Sequence, residues 1–380
     1  MLLDYETLKL IWWVLVGVLL IGFAVTDGFD MGVGTLLPWL GRNDDERRVI
    51  INTMAPHWDG NQVWLITAGG ALFAAWPVVY AAAFSGFYIA MMLTLFALFF
   101  RPVGFDYRSK IDDPRWRNAW DWALFAGSAV PALIFGVAFG NLLLGVPFEY
   151  DEFLTPRYTG SFFGLLNPFA LLCGLVSLAM LVLHGALWLQ LRADEAIAER
   201  ARGAATVAGI AFIVLFALAG LGVAFGVDGY RVVAMPDGGA ASNPLAKTVE
   251  AATGGWLDNY GRYPWMLTAP LLGFAAAALA VLCARARRPG FGFIASSLTA
   301  AGTILTAGFS MFPFVMPSSA SPDSSLTLWD AASSELTLSV MFGAAVLFVP
   351  VVLAYTVWSY RKMWGRVTVR HVQEHSHSLY

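Results

Sequence analysis

The sequence predicts an all-α, polytopic transmembrane bundle of about nine helices. The first observation is composition: 58% of the 380 residues are hydrophobic and only 13% are charged. A soluble domain has roughly a quarter of its residues charged. The second is that the charges stand in short clusters between apolar runs of about 20 residues or more, the length of a helix that crosses the hydrocarbon core. Barrel strands would instead be alternating segments of about 10 residues. The third is a strong asymmetry of Lys and Arg between the two sets of connecting segments.

The apolar runs predict nine spans that form one integral-membrane domain over 1–380. They lie at 10–37, 54–76, 78–100, 119–146, 162–191, 204–226, 263–283, 291–312 and 336–360. Pro77 alone separates the second and third spans, so a tight turn is expected there. The polar segment 228–262 is expected to be an exposed extracytoplasmic loop, and 361–380 a cytoplasmic tail.

Charge in the connecting segments predicts the orientation. With nine spans the termini lie on opposite sides. The segments on the side of the C-terminus then hold 18 of the 23 Lys and Arg residues, and the other side holds 5. Because cytoplasmic segments are enriched in Lys and Arg, the N-terminus is predicted to be periplasmic and the C-terminus cytoplasmic. The chain is therefore expected to be a multi-pass membrane protein in contact with lipid.

Several classes of function are excluded by the residues themselves. The net charge is −3, and no basic surface for nucleic acid is apparent. Cys173 and Cys283 lie inside apolar runs, where they are expected to be small buried hydrophobes and not a metal pair. No phosphate-binding loop or catalytic triad pattern is present. We therefore expect no catalytic centre and no metal site in this chain alone.

Ionisable residues inside the predicted spans are the main candidates for function, since each costs about 2.5–3.5 kcal/mol at the centre of a membrane helix. Asp27 and Asp30 are three residues apart and share a helix face. The cytoplasmic ends of the first three spans are predicted to bring together Asp27, Asp30, His57, Asp59, Arg101 and Asp106. A row of carboxylates beside a guanidinium is what a proton entry path needs.

Structural explanations of the same residues stay open. Asp59 can be a helix N-terminal charge that the helix dipole stabilises. Asp106 and Arg108 can be a solvated loop pair. Asp30 and Arg101 can be an ion pair that holds two helices together.

The supply of histidines argues against haem ligation by this chain. A haem in a helical bundle needs axial His or Met side chains that face each other. Only His57 and His184 lie within or beside the spans, and the other three are in the tail, at His371, His375 and His377. His184 is expected to be a hydrogen-bonded group between helices.

The motifs resemble subunit 2 of the cytochrome bd quinol oxidases over the whole chain. The segments that carry the resemblance are GFAVTDGFDMGVG at 22–34, APHWDGNQVWL at 55–65, FFRPVGFDYR at 99–108, LTAG at 305–308, MFPFVMPSS at 311–319 and LTLWDA at 326–331. They are long and specific.

The resemblance implies a heterodimer in which subunit 1 carries the b and d haems, oxidises quinol and reduces O2 to water. It implies a proton-uptake route in this chain that matches Asp30, Asp59 and Asp106, with Asp27, His57, Trp58 and Arg101 in the same motifs. Some family members hold a structural quinone in subunit 2, and small single-helix subunits are further expected partners.

The predicted function is thus that of the non-haem subunit of a quinol:O2 oxidoreductase of aerobic respiration. It would stabilise subunit 1 and conduct cytoplasmic protons to the oxygen-reduction site. The alternatives are a proton-coupled secondary transporter and a purely structural scaffold subunit. A transporter is typically built from broken helices and paired repeats, which the sequence does not show.

Overall fold

The computed structural model describes residues 3–375 and 379–380, in which long antiparallel helices alternate with short connections. His377 lies outside these residues. The helices are α1 (Tyr5–Leu40), α2 (Asp44–Met54), α3 (Trp58–Ala75), α4 (Pro77–Gly86), α5 (Tyr88–Tyr107), α6 (Pro114–Leu144), α7 (Pro168–Arg192), α8 (Glu195–Phe225), α9 (Asp258–Arg262), α10 (Thr268–Arg285), α11 (Pro289–Met311), α12 (Glu335–Lys362) and α13 (Val369–Glu374). The strands are β1 (Phe148–Tyr150), β2 (Pro156–Tyr158), β3 (Asp228–Ala234), β4 (Thr248–Thr253), β5 (Phe314–Met316) and β6 (Leu326–Thr327). They pair as three two-stranded antiparallel hairpins.

Eight helices of the described chain are long and apolar enough to cross a membrane, which confirms the predicted class of an all-α polytopic bundle. They are α1, α5, α6, α7, α8, α10 with the turn before it, α11 and α12. The predicted span 54–76 corresponds to α3, which has 18 residues and is not one of the eight. Its first turns carry Asp59, Asn61 and Gln62, which lower its mean hydropathy.

The prediction for 78–100 was wrong in its bounds. Pro77 does not make a tight turn: it begins the separate ten-residue helix α4, which ends at Gly86. The membrane-length helix α5 starts only at Tyr88 and runs on to Tyr107. The apolar run is continuous through both helices, so hydropathy alone cannot locate the break between them.

Helix α7 lies at the centre of the bundle, packed against α1, α6, α8 and α11. Glycine lets α1 and α7 approach closely, because a Cβ placed on Gly32 would overlap the carbonyl oxygen of Leu181 and lie 2.9 Å from Gly185 Cα. The helix crossing therefore depends on having no side chain at these positions.

The two ends of the bundle differ. We call the end formed by the C-termini of α1, α5, α7 and α12 and the N-termini of α3, α6 and α8 the acidic end. The opposite end, with the three hairpins, is the hairpin end. All of the candidate residues of the sequence are at the acidic end, so the alternating helix directions agree with the prediction that they share one side. Which end faces the cytoplasm stays a prediction.

The segment 228–262 is folded and not a simple exposed loop. Strands β3 and β4 pair within it, and Tyr230, Val249 and Trp256 are buried in an apolar cluster. The indole of Trp256 donates a hydrogen bond to the carbonyl of Leu143 at the end of α6. The hairpin is thereby attached to the bundle by its aromatic side chains.

The segment after residue 361 contains a further short helix and contacts the bundle. Helix α13 packs against α2, and the amide and carbonyl of Tyr380 exchange hydrogen bonds with the side chain of Asn52, at 3.1 and 2.9 Å. Helix α13 and Tyr380 thus both contact α2 at the acidic end.

Candidate functional site at the acidic end

Asp27 and Arg101 form a fully buried, bidentate ion pair between α1 and α5. Arg101 Nη2 lies 2.6 Å from Asp27 Oδ1, and Nη1 lies 3.0 Å from Oδ2. Both side chains are at most 1% exposed. The two parallel hydrogen bonds satisfy both oxygens of Asp27. The ion pair suggested by the sequence is therefore present, with Asp27 and not Asp30 as the close partner.

Asp30 lies beside this pair with only one oxygen engaged. Its Oδ2 accepts a hydrogen bond of 2.7 Å from the amide of Asn61 and is 3.8 Å from Arg101 Nη2. Its Oδ1 is buried without a partner among the described residues. A buried oxygen of this kind is expected to contact an internal water or to carry a proton. Asp30 is thus the buried carboxyl of the site that keeps one oxygen without a partner in the described chain.

An aromatic group closes the site on the side of α12. The ring of Tyr360 stacks on His57 with 4.2 Å between ring centroids and 12° between planes. The Tyr360 hydroxyl donates a hydrogen bond of 2.6 Å to Asn61 Oδ1. His57 is 4% exposed, and its Nε2 has no hydrogen-bond partner in the described chain. Asp30, Asn61, Tyr360 and His57 are therefore one connected group drawn from α1, the start of α3 and α12.

Arg192 extends this group at the end of α7. Its guanidinium lies between the rings of Trp188 and Trp364, 5.3 and 5.0 Å from their centroids. It donates to the carbonyl of Met363, and no carboxylate is within ion-pair distance in residues 3–375 and 379–380. The site thus has two carboxylates, Asp27 and Asp30, and two guanidiniums. Arg101 pairs with Asp27, whereas Arg192 has no carboxylate partner among the described residues.

Asp59 and Asp106 do not join the buried group. Both are exposed on the outer surface of this chain, Asp59 in the first turn of α3 and Asp106 in the last turn of α5. Neither forms an ion pair with a residue that the structure describes. Trp58 lies between the two regions, and the Arg101 guanidinium is 6.0 Å from its ring. The predicted residues are thus divided into a buried set and a surface pair.

Arg108 is not part of a solvated loop pair with Asp106, as one interpretation of the sequence had it. It is 2% exposed and binds the fully buried Asp121, with Nε 2.6 Å from Oδ1, and also Asp44 at 2.9 Å. Arg47 completes the network, 2.7 Å from Asp121. Because this network joins α2, α5 and α6, it holds the end of α5 in place and leaves Asp106 on the outside.

Sequence reasoning missed Asp121 and Tyr360. Asp121 lies inside the predicted span 119–146, so the rule that a charge in a span needs a reason was sufficient to find it. Tyr360 gave no such signal, because an aromatic residue at the end of a span is typical of the membrane interface.

His184 is a satisfied hydrogen-bonded group, as the sequence suggested. Its Nδ1 is 2.7 Å from Ser296 Oγ, and its Nε2 is 2.9 Å from the carbonyl oxygen of Val25. Among residues 3–375 and 379–380, no group of three His, Cys, Asp or Glu side chains is placed to hold a metal ion.

A large apolar cavity of about 1270 Å³ lies away from the acidic group, among α1, α3, α4, α5, α6 and α11. Aromatic rings form much of its wall, among them Trp13, Trp76, Tyr80, Phe87 and Phe309. A space of this size with so little polar lining suits an apolar chain-like molecule.

The chain matches the family model for cytochrome bd terminal oxidase subunit II over residues 8–363. It is 60% identical over 379 residues to cytochrome bd-I ubiquinol oxidase subunit 2 of Escherichia coli K12, with all of both chains covered. It is 34% identical to cytochrome bd ubiquinol oxidase subunit 2 of Bacillus subtilis 168, over 94% of this chain and 96% of the relative.

The fold is also that of a chain in the solved structure of the bd oxidase from Geobacillus thermodenitrificans. The TM-score is 0.68 at 17% identity, with 93% of this chain and 98% of that chain covered. The identity is low, so this likeness concerns the fold. The coverage and identity of the curated relatives confirm the resemblance seen in the motifs. The chain is a multi-pass subunit of an inner-membrane oxidoreductase and belongs to the cytochrome bd terminal oxidase subunit II family.

Proposed function

We propose that this chain is the non-haem subunit of a quinol:O2 oxidoreductase and conducts cytoplasmic protons towards the oxygen-reduction site of its partner, subunit 1. The observation that carries the proton role is Asp30, a fully buried carboxyl with one oxygen free beside an ion pair. Asp27 and Arg101 neutralise each other, so a proton can enter and leave at Asp30 without unpairing them.

The surface pair supports a path that continues beyond this chain. Asp59 and Asp106 are exposed carboxylates on α3 and α5, at the same end of the bundle as Asp30. The outer faces of both helices are otherwise largely apolar, with Val63 48% and Phe96 52% exposed. We propose that these faces contact subunit 1, so that the surface carboxylates connect the two subunits.

Asp30→Asn and Asp59→Asn test the proton path in the assembled complex. Asparagine preserves the shape of aspartate and cannot cycle a proton. We expect quinol-driven O2 consumption to fall at least tenfold, equivalent to ~1.4 kcal/mol on the barrier, with haem content unchanged. Asp59→Glu should recover part of the activity.

The same variants separate the path from a scaffold role. Near-normal turnover in both asparagine variants, with haem content intact, would exclude these carboxylates from proton delivery. Parallel loss of haem and activity would indicate that the residues serve assembly. Asp27→Asn serves as the reference for an assembly defect, because it leaves Arg101 buried without the carboxylate that pairs with it.

The cofactors follow from the proposed assembly. The b and d haems belong in subunit 1, whereas this chain conducts protons and provides a surface that stabilises subunit 1. Small single-helix subunits are further partners, for which the lightly packed α12 offers an exposed apolar face.

We also propose that the cavity of about 1270 Å³ holds a structural quinone by its isoprenoid chain. Gly69 lines the cavity, and a Cβ added there meets no atom within 4 Å, so Gly69→Leu fills space without disturbing the fold. Extraction of the purified complex should yield severalfold less quinone for this variant. Gly343→Leu on α12, where space is also open, is the control. Equal quinone content in both variants would contradict this site.

A further inference from the structure

We propose that Tyr360 is a positioning residue of the proton path: its hydroxyl orients the amide of Asn61 and so determines how readily Asp30 binds a proton. The inference rests on the proposed proton path and adds to it a residue that does not itself carry the proton. It follows from a chain of two short hydrogen bonds across three helices, α12, α3 and α1.

The first step is the contact between Asn61 and Asp30. Asn61 is 2% exposed, and its Nδ2 donates to Asp30 Oδ2 at 2.7 Å. An N–H donor favours the charged form of a carboxyl, because it binds the carboxylate better than the neutral acid. In this orientation the amide helps Asp30 to release its proton.

The second step is that the amide has two orientations. Rotated by half a turn, Asn61 would present its oxygen to Asp30, and an oxygen can be accommodated there only if Asp30 carries a proton to donate. The Tyr360 hydroxyl favours the first orientation, in which it donates to Asn61 Oδ1 at 2.6 Å. In the rotated amide the hydroxyl could only accept from Nδ2, and its own buried proton would lose its acceptor. Proton affinity at Asp30 is thereby linked to a residue on another helix.

The third step is the placement of Tyr360. Most of α12 is exposed in this chain, and Leu338 is the one residue of the helix that is fully buried. Tyr360 is held at the acidic end by its stack on His57 and by edge contacts with Phe29 and Trp188. The ring fixes the hydroxyl, so removing the oxygen alone leaves the packing in place.

Other charged and titratable groups face the site from the surrounding helices and must stay constant in a test. They are Asp27 on α1, His57 before α3, Arg101 on α5, and His184 and Arg192 on α7. Tyr360→Phe changes none of them, and it keeps the aromatic ring against His57.

Without the hydroxyl, both orientations of Asn61 become available, and the one that favours protonated Asp30 is populated. We expect Tyr360→Phe to move the pH of half-protonation of this carboxyl upward by about half a unit to one unit, which corresponds to the net contribution of one ordinary intramolecular hydrogen bond. The alkaline limb of the pH–rate profile should move in the same direction.

The experiment is an infrared pH titration of the protonated-carboxyl band in the purified whole complex. The band is assigned to Asp30 by its loss in Asp30→Asn. Tyr360→Phe should shift the titration upward, whereas Tyr355→Phe, an exposed tyrosine on the same helix, should leave it unchanged. An unshifted band in Tyr360→Phe would overturn the inference.

A double-mutant cycle tests whether Tyr360 acts through Asn61. Asn61→Ala removes the donor and should itself shift the band upward. Tyr360→Phe should then add no further shift. An additive shift would show that Tyr360 acts on Asp30 by another route and would also overturn the inference.

The infrared titration does not depend on turnover, so the two ideas can fail separately. If Asp30→Asn retains full activity, the proton path is wrong, and the band still reports whether Tyr360 governs protonation of Asp30. If activity depends on Asp30 and the band does not move in Tyr360→Phe, only the positioning role is wrong.

Discussion

Lys247 and Asp330 form a buried ion pair at the hairpin end, far from the predicted acidic residues in the fold. Lys247 Nζ lies 3.0 Å from Asp330 Oδ2, and the two side chains are 0% and 5% exposed. Burial lowers the pKa of Lys247 and raises that of Asp330, while each charge opposes the shift of the other. Lys9 is also fully buried there and donates to the carbonyls of Gly238, Ala240 and Trp329. These contacts attach the hairpin end to α1.

Removing one charge of the Lys247–Asp330 pair should cost more than removing both. Lys247→Met leaves a buried, unpaired carboxylate and is expected to destabilise the protein by about 3–5 kcal/mol. Adding Asp330→Asn should recover most of this loss, because the amide keeps the acceptor for the Thr327 N–H. Thermal unfolding of the purified complex measures both. Equal unfolding temperatures for the single and double variants would show that the unpaired Asp330 carboxylate costs no stability and would contradict this prediction.

At the scale of elements, the crossing of α1 and α7 determines where the acidic group lies. Asp27 and Asp30 precede the close contact at Gly32 by less than two helical turns, and His184 on α7 forms a hydrogen bond with the carbonyl of Val25 on α1. A change in the separation of these helices would therefore move both carboxylates relative to Arg101.

Gly32→Ala should disrupt this crossing, whereas Gly17→Ala should not. A methyl group at Gly32 overlaps Leu181 O, and a crowded core position costs about 1–3 kcal/mol. Gly17 is on the same helix and has open space around its Cβ position. We expect a lower unfolding temperature and less assembled complex for Gly32→Ala. Indistinguishable stability of the two variants would mean that the helices adjust freely.

At the scale of the whole molecule, the distribution of positive charge agrees with one direction of insertion. The acidic end holds most of the Lys and Arg residues, although Asp27 and Asp30 are also there. Many of these cations are engaged in ion pairs, such as those of Arg47, Arg108 and Arg200. They bind the helix ends together and favour a cytoplasmic location.

Cysteine labelling tests this orientation in intact cells or spheroplasts. In a background without Cys173 and Cys283, Ala241→Cys at the hairpin end should react with an impermeant reagent from outside. Asp112→Cys at the acidic end should react only after the membrane is opened; both positions are exposed. Labelling of residue 112 and not of residue 241 from outside would reverse the predicted topology.

The sequence alone was sufficient for the fold class, for the approximate positions of most spans and for the family. Each of these depends on local properties: a helix in lipid needs about 20 apolar residues, and the motifs are contiguous runs. The break between α4 and α5 was not predictable in this way, because the residues on both sides of it are equally apolar. Asp27, Asp30, His57 and Arg101 were also recognisable as candidates, since charge within an apolar run is visible without coordinates.

The partner of each polar group was decided only by the tertiary structure. Asp27 and Asp30 share one helix face, yet a small difference in depth gives the bidentate contact with Arg101 to Asp27 and leaves Asp30 with a free oxygen. Tyr360 reaches Asn61 across 299 residues of sequence. Whether a carboxylate is buried or exposed, as for Asp30 and Asp59, depends on which neighbouring helix covers it. Helical spacing determines the face of one helix, whereas packing among several helices determines what that face meets.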